Sequence, residues 1–199
     1  MKREKYELLT ADNAMLLLVD NQDGMMSWTN TLPLRDLKRN TLLLTRAAKA
    51  IGMPMIMTTS METEAQGPLM HELQDIVPDI YDNRIKREGI VYAFMDPAFE
   101  KEVKNTKRCR IIIAGITTEV CVTFPIIRAL REGYDVFVVQ DASAAVTKIA
   151  EDAAMRRMEA EGAVPVSTLQ IVAELAKSWA SDEGKILNEY LFEDLFSKL

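Results

Sequence analysis

A chain of 199 residues with 48% hydrophobic and 27% charged positions can build one substantial core, and a second full domain would be a squeeze. Its formal charge of −6 excludes the basic face that nucleic-acid binding requires. Two cysteines, Cys109 and Cys121, make neither a disulfide framework nor a CxxC site, and the single histidine, His71, argues against a His-rich metal centre or a histidine-based triad.

Residues 1–5 are charged and lack an apolar signal core, and no later run reaches membrane-spanning length. A protein of the reducing cytosol, acting on a small molecule without membrane or nucleic-acid partners, is expected. Apolar runs then alternate with helical patterns. Strands are predicted at 14–19, 54–58, 85–87, 110–114, 135–139 and 163–167, and helices at 34–51, 97–105, 119–133, 148–162 and 168–180. Gly52, Gly133 and Gly162 fall just past helices, where a left-handed residue is favoured. This alternation predicts an α/β fold: three layers, α/β/α, around a mainly parallel six-stranded Rossmann-like sheet. Residues 60–68 read as a surface loop. Beyond the last strand, 182–199 is a separate helical tail rich in large apolar residues, expected to contact another subunit of a homo-oligomer. There is no GxGxxG after the first strand and no GxxxxGK[ST], so dinucleotide and P-loop readings lack support.

Ligands of open parallel sheets sit beyond the carboxyl ends of the strands, and three reactive side chains fall at such ends. Asp20 follows five apolar residues and Val19, where partial burial suits a carboxylate to proton transfer. Lys86 and Arg87 end the third strand, and a cation there would assist a thiolate. Cys121 follows the Ile111-Ile112-Ile113 strand and Gly115; with Thr117 and Thr118 as helix caps, it falls in a helix's first turn, where the dipole favours the thiolate. Cys121 as a small buried hydrophobe is the competing reading. Asp141, at the end of the fifth strand, reads as a turn or cap residue, His71 as a surface or interface helix residue, and Cys109 as inert.

The strand ending Asp20-Asn21-Gln22, the segment from Arg87 to Phe94, Gly115-Ile116-Thr117-Thr118-Glu119-Val120-Cys121-Val122, and Gly133-Tyr134 leading to Asp141 together resemble the isochorismatase-like cysteine hydrolase superfamily, in its YcaC-like branch. The resemblance spans roughly 14–180 and makes 1–181 the hydrolase domain. It implies a triad of Asp20, a cation and Cys121, with Arg87 preferred over Lys86 as that cation. It also implies a cis peptide between Ile116 and Thr117, and an oxyanion hole from the N–H groups of Thr117 and Cys121. The implied activity is hydrolysis of a small amide-type C–N bond through a Cys thioester, with Asp20 as proton shuttle. Gln22, Met25, Trp28, Tyr92, Phe94, Ile116 and Phe124 are expected to line a compact pocket for a substrate of little charge. Relatives that use a metal carry histidines after the second strand; here that stretch runs from Thr58 to Thr63 without one, so neither metal nor other cofactor is expected. Isochorismatase-type hydrolysis without covalent catalysis, and a catalytically silent binding or scaffold protein, remain as alternatives.

Overall fold

The computed structural model describes residues 7–198; the charged 1–5 segment and the tail's last residue, Leu199, lie outside it. Six strands form one sheet: β1 (Ala14–Val19), β2 (Met55–Ser60), β3 (Ile85–Arg87), β4 (Arg110–Gly115), β5 (Asp135–Val139) and β6 (Val164–Val166). Their order is β3-β2-β1-β4-β5-β6 and every neighbouring pair is parallel. All six residues of β1 and of β4 are buried, as expected of central strands covered on both faces. The helices are α1 (Asp23–Trp28), α2 (Leu34–Ala50), α3 (Glu72–Ile76), α4 (Pro78–Asp82), α5 (Pro97–Asn105), α6 (Thr123–Arg131), α7 (Lys148–Glu161), α8 (Thr168–Ala176) and α9 (Asp182–Asp194). α2, α8 and α9 pack on one another as one layer, and α6 and α7 form the other. Right-handed crossovers in a sheet whose order reverses at β1/β4 require this two-sided covering. Among the described residues, no helix is long and apolar enough to cross a membrane.

Several boundaries differ from the sequence reading for local reasons. The helix expected over 119–133 begins as a π-helical turn, Thr118–Val122, before α6. Val122 N–H reaches back five residues to Thr117 O (3.2 Å), and the Thr123 hydroxyl donates to Thr118 O (2.6 Å). Neither Thr117 nor Thr118 caps that turn through its side chain, against expectation. The helix expected over 168–180 stops at Ala176 because Lys177 turns left-handed (φ +56°). That turn frees the chain to enter α9, where Gly184 lies so close to Ser178 O that a Cβ would sit 1.8 Å from it. The short α1, α3 and α4 were not foreseen; Pro78 at the start of α4 was the available signal.

In the tail, Leu187 and Leu191 are buried against the chain's own domain, and Arg46 of α2 sits 3.9 Å above the Tyr190 ring. Ile186, Phe192 and Phe196 face outward. Asp141 has the capping role read from sequence: its Oδ1 accepts both the N–H (2.7 Å) and the hydroxyl (2.8 Å) of Thr168 at the start of α8. His71 lies exposed just before α3.

Gly115, which ends β4, is the tightest point between the central strands. A Cβ there would lie 2.1 Å from Val19 O, so the last β1–β4 step admits no side chain. Gly115→Ala is expected to lower stability by at least about 1–3 kcal/mol through overpacking, measured by chemical denaturation.

Candidate active site

Three strand ends converge where the order reverses. At the end of β1, Asp20 adopts a left-handed backbone (φ +56°), a conformation Asp tolerates better than most residues and which turns the chain off the strand line. Its side chain is completely buried, rather than partly as expected. Thr58, from the neighbouring β2, donates its hydroxyl to Asp20 Oδ1 (2.8 Å), and Arg87 Nη2 binds Asp20 Oδ2. The guanidinium also reaches the carbonyls of Ile90 and Val91 through Nη1. Of the two adjacent cations, Arg87 turns inward and is buried, whereas Lys86 is exposed and lies 3.8 Å from Glu62.

Cys121 completes the group. Its buried thiol lies where both the Asp20 carboxyl and the Thr117 backbone act on it. The Ile116–Thr117 peptide is cis. The dipole argument of the sequence reading favours a thiolate, and in the fold burial and Asp20 act against it. Burial, then the charge of Asp20 and its hydrogen bond, push the Cys121 thiol up to about 12; the Arg87 cation and the Thr117 N–H oppose this and lose. Cys121 sits within the π-helical turn that leads directly into α6. At neutral pH the resting sulfur is a protonated thiol.

The expected pocket residues separate into four groups. Tyr92 and Phe124 stack face to face, with centroids 4.3 Å apart, and Tyr92, Phe94, Met95 and Arg128 line a cavity of about 330 Å³. Arg128 is a charged wall that the sequence reading missed, and Arg157 lies over the Phe124 ring at 5.6 Å. Trp28 is exposed at the end of α1, while Met25 and Ile116 belong to the buried core. Gln22 does not line a pocket: it is wholly buried, and its amide is bonded to the backbone of Ser60 and Gly67. Thr58 was also missed, since nothing local marks a strand threonine as a carboxylate's partner. The stretch from Thr58 to Thr63 supplies no histidine, and among the described residues no group of three or more His, Cys, Asp or Glu could hold a metal ion.

A family model of the isochorismatase domain matches residues 14–170. The probable hydrolase YcaC of Escherichia coli is 40% identical over 177 residues, covering 89% of this chain and 84% of its own. A solved structure of YcaC from Pseudomonas aeruginosa with hexane-2,5-diol and covalent acrylamide superposes with a TM-score of 0.92 at 36% identity, covering 98% of this chain and 95% of that one. The solved E. coli protein, described as an octameric hydrolase of unknown specificity, gives 0.92 at 37% identity over 98% and 94% of the two chains. The chain belongs to the isochorismatase family of hydrolases.

Two measurements check the electrostatics. Asp20→Asn removes the charge and the acceptor that raise the thiol, so Cys121 is expected to react with iodoacetamide faster at pH 8 than in the parent protein, by about tenfold per unit of lowered pKa. Separately, the folded thiol ionises well above its ordinary value of 9.0. Its contribution to stability is therefore complete below pH 9 and declines as pH rises from there towards the folded value. Relative to Cys121→Ser, the parent should lose up to about 1.4 kcal/mol per pH unit above pH 9, read by urea denaturation.

Proposed function

We propose that this isochorismatase-family hydrolase cleaves a small amide-type C–N bond through a thioester on Cys121. The observation that carries the reading is the buried Asp20–Arg87 pair at the strand ends where the sheet order reverses, with the Asp20 carboxyl acting on the buried Cys121 thiol. In the first step the Cys121 sulfur bonds to the substrate carbonyl carbon as the thiol proton passes to Asp20. The oxyanion is held by the N–H groups of Thr117 and Cys121, each such donor being worth about 3–4 kcal/mol. Collapse breaks the C–N bond, and Asp20 returns its proton to the departing amine. Water then adds to the thioester while Asp20 takes its proton. Collapse of this second intermediate expels the sulfur, which recovers that proton, and releases the acid.

Arg87 supports the charge on Asp20 and takes no part in the proton relay. A thiol this reluctant to ionise needs a base in contact, and Asp20 meets that need. The covalent acrylamide in the P. aeruginosa relative favours the same chemistry, because acrylamide is a small amide whose alkene carbon captures nucleophiles. The tail supplies the assembly proposal. With Leu187 and Leu191 committed to its own domain, α9 and the residues after it turn Ile186, Phe192 and Phe196 outward, and a second copy of the chain would cover them. The octameric state given for the E. coli relative agrees with this.

A panel of small amides, scored by ammonia release, tests the activity. Cys121→Ala and Asp20→Asn should each reduce kcat/KM by about 10³-fold or more with an unchanged circular dichroism spectrum; retained turnover in Cys121→Ala rejects the thioester. Sedimentation should show an oligomer that Phe192→Glu weakens, and a monomeric parent would reject the interface.

A further inference from the structure

The last paired step between β1 and β2 is Val19 opposite Thr58; at Asp20 the first strand turns away. β2 nevertheless continues to Ser60, and Ser60 is the residue paired with Arg87 in β3. Asp20 N–H still donates to Thr58 O (3.0 Å), and past that bond the β1 backbone no longer runs beside β2. The Gln22 side chain occupies that position. Its Oε1 accepts Ser60 N–H (2.7 Å) and its Nε2 donates to Ser60 O (2.9 Å), the exchanged pair of bonds that one residue of an adjoining antiparallel strand would make with its own N–H and C=O. The same Nε2 donates to Gly67 O (2.5 Å), so one buried amide grips both ends of the 60–67 loop.

That loop is the backing of β3. Met61 N–H donates to Arg87 O (3.0 Å), and Glu62 accepts two bonds from the Arg84 guanidinium (2.5 and 2.9 Å). On its other side the loop lies on α1: Asp23 N–H reaches Pro68 O (3.0 Å), and a Cβ on Gly24 would be 2.1 Å from Ala65 O. β3 itself has only three residues and pairs with β2 alone, so its own ladder fixes Arg87 weakly.

We propose that Gln22 is a positioning residue: its carboxamide continues the β-ladder past the point where β1 leaves it, and so sets Arg87 at bonding distance from Asp20. The inference rests on the Asp20–Arg87–Cys121 reading of the site. It explains how one sheet edge lets β1 turn early, to deliver a carboxylate, while β2 and β3 run on to deliver the cation.

The test uses the full chain in a Cys109→Ser background, so that Cys121 alone reports through iodoacetamide labelling between pH 7 and 10. In Gln22→Met the loop loses its grip and the Arg87 cation withdraws, leaving the thiolate less supported. Labelling should slow by about tenfold across the range. Gln22→Glu keeps the side-chain length and one acceptor but donates to neither carbonyl; it should slow labelling in the same direction and covers the case of a Met variant that fails to fold. Leu187→Ala, in the distant α9, should lower the melting temperature and keep the parent rate. A site merely loosened by the Gln22 substitutions would expose the thiol, so parent-like or faster labelling overturns the proposal. A crystal structure of Gln22→Met with Arg87 still bonded to Asp20 also overturns it. Failure of the underlying triad reading is distinguishable, because it would appear as an Asp20→Asn protein whose Cys121 labelling does not change.

Discussion

The buried ion pair between Asp20 and Arg87 is the constraint around which this site is arranged. Both side chains are fully excluded from solvent, and two charges in such a place must recover a desolvation cost of several kcal/mol each. The surroundings supply the remaining bonds: the Thr58 hydroxyl on the carboxylate, and the Ile90 and Val91 carbonyls on the guanidinium. Removing either partner would leave the other charge unpaired, typically at about 3–5 kcal/mol. An apolar pair of equal volume would serve stability as well, so the pair is better explained by what it does to its third neighbour.

That neighbour is Cys121, on which the pair exerts opposed pulls. Asp20 raises the thiol by charge and by hydrogen bond, Arg87 lowers it, and burial settles the outcome towards the thiol. The π-helical turn matters here because it adds a residue between the cis peptide and α6, with the Thr118 carbonyl taken by the Thr123 hydroxyl. A sulfur with a base in contact and an N–H at its back requires no standing negative charge.

Much of this arrangement is legible in the sequence. The isoleucine run of β4, the apolar run before Asp20, and the glycines past the helices mark parallel strands and their crossovers, and strand ends are where reactive groups gather. Local pattern fails wherever the deciding partner is distant. Gln22 looks like a pocket residue because it follows Asp20, yet its partners are 38 and 45 residues away. The choice between Lys86 and Arg87 depends on which one faces inward from a three-residue strand, and adjacency alone cannot decide that. The π-helical turn has the composition of an ordinary helix start, and the dipole argument for the thiolate leaves out the burial and the carboxyl that only the fold brings to the sulfur.

The proton inventory narrows the chemistry that the proposed reading can support. The described site contains no histidine, and an arginine relays no protons under these conditions, which leaves Asp20 as the single relay. The proton taken from Cys121 must therefore leave Asp20 again before water can be activated. An amine expelled from a tetrahedral intermediate is basic enough to take it, and it departs poorly unless it does. A good leaving group, such as the alkoxide of an activated ester, would depart without that proton and leave the relay occupied when the thioester needs its base. On the proposed reading, a buried thiol, one carboxyl group and a fixed cation suit a substrate whose leaving group demands protonation, as the amine of a carbon–nitrogen bond does.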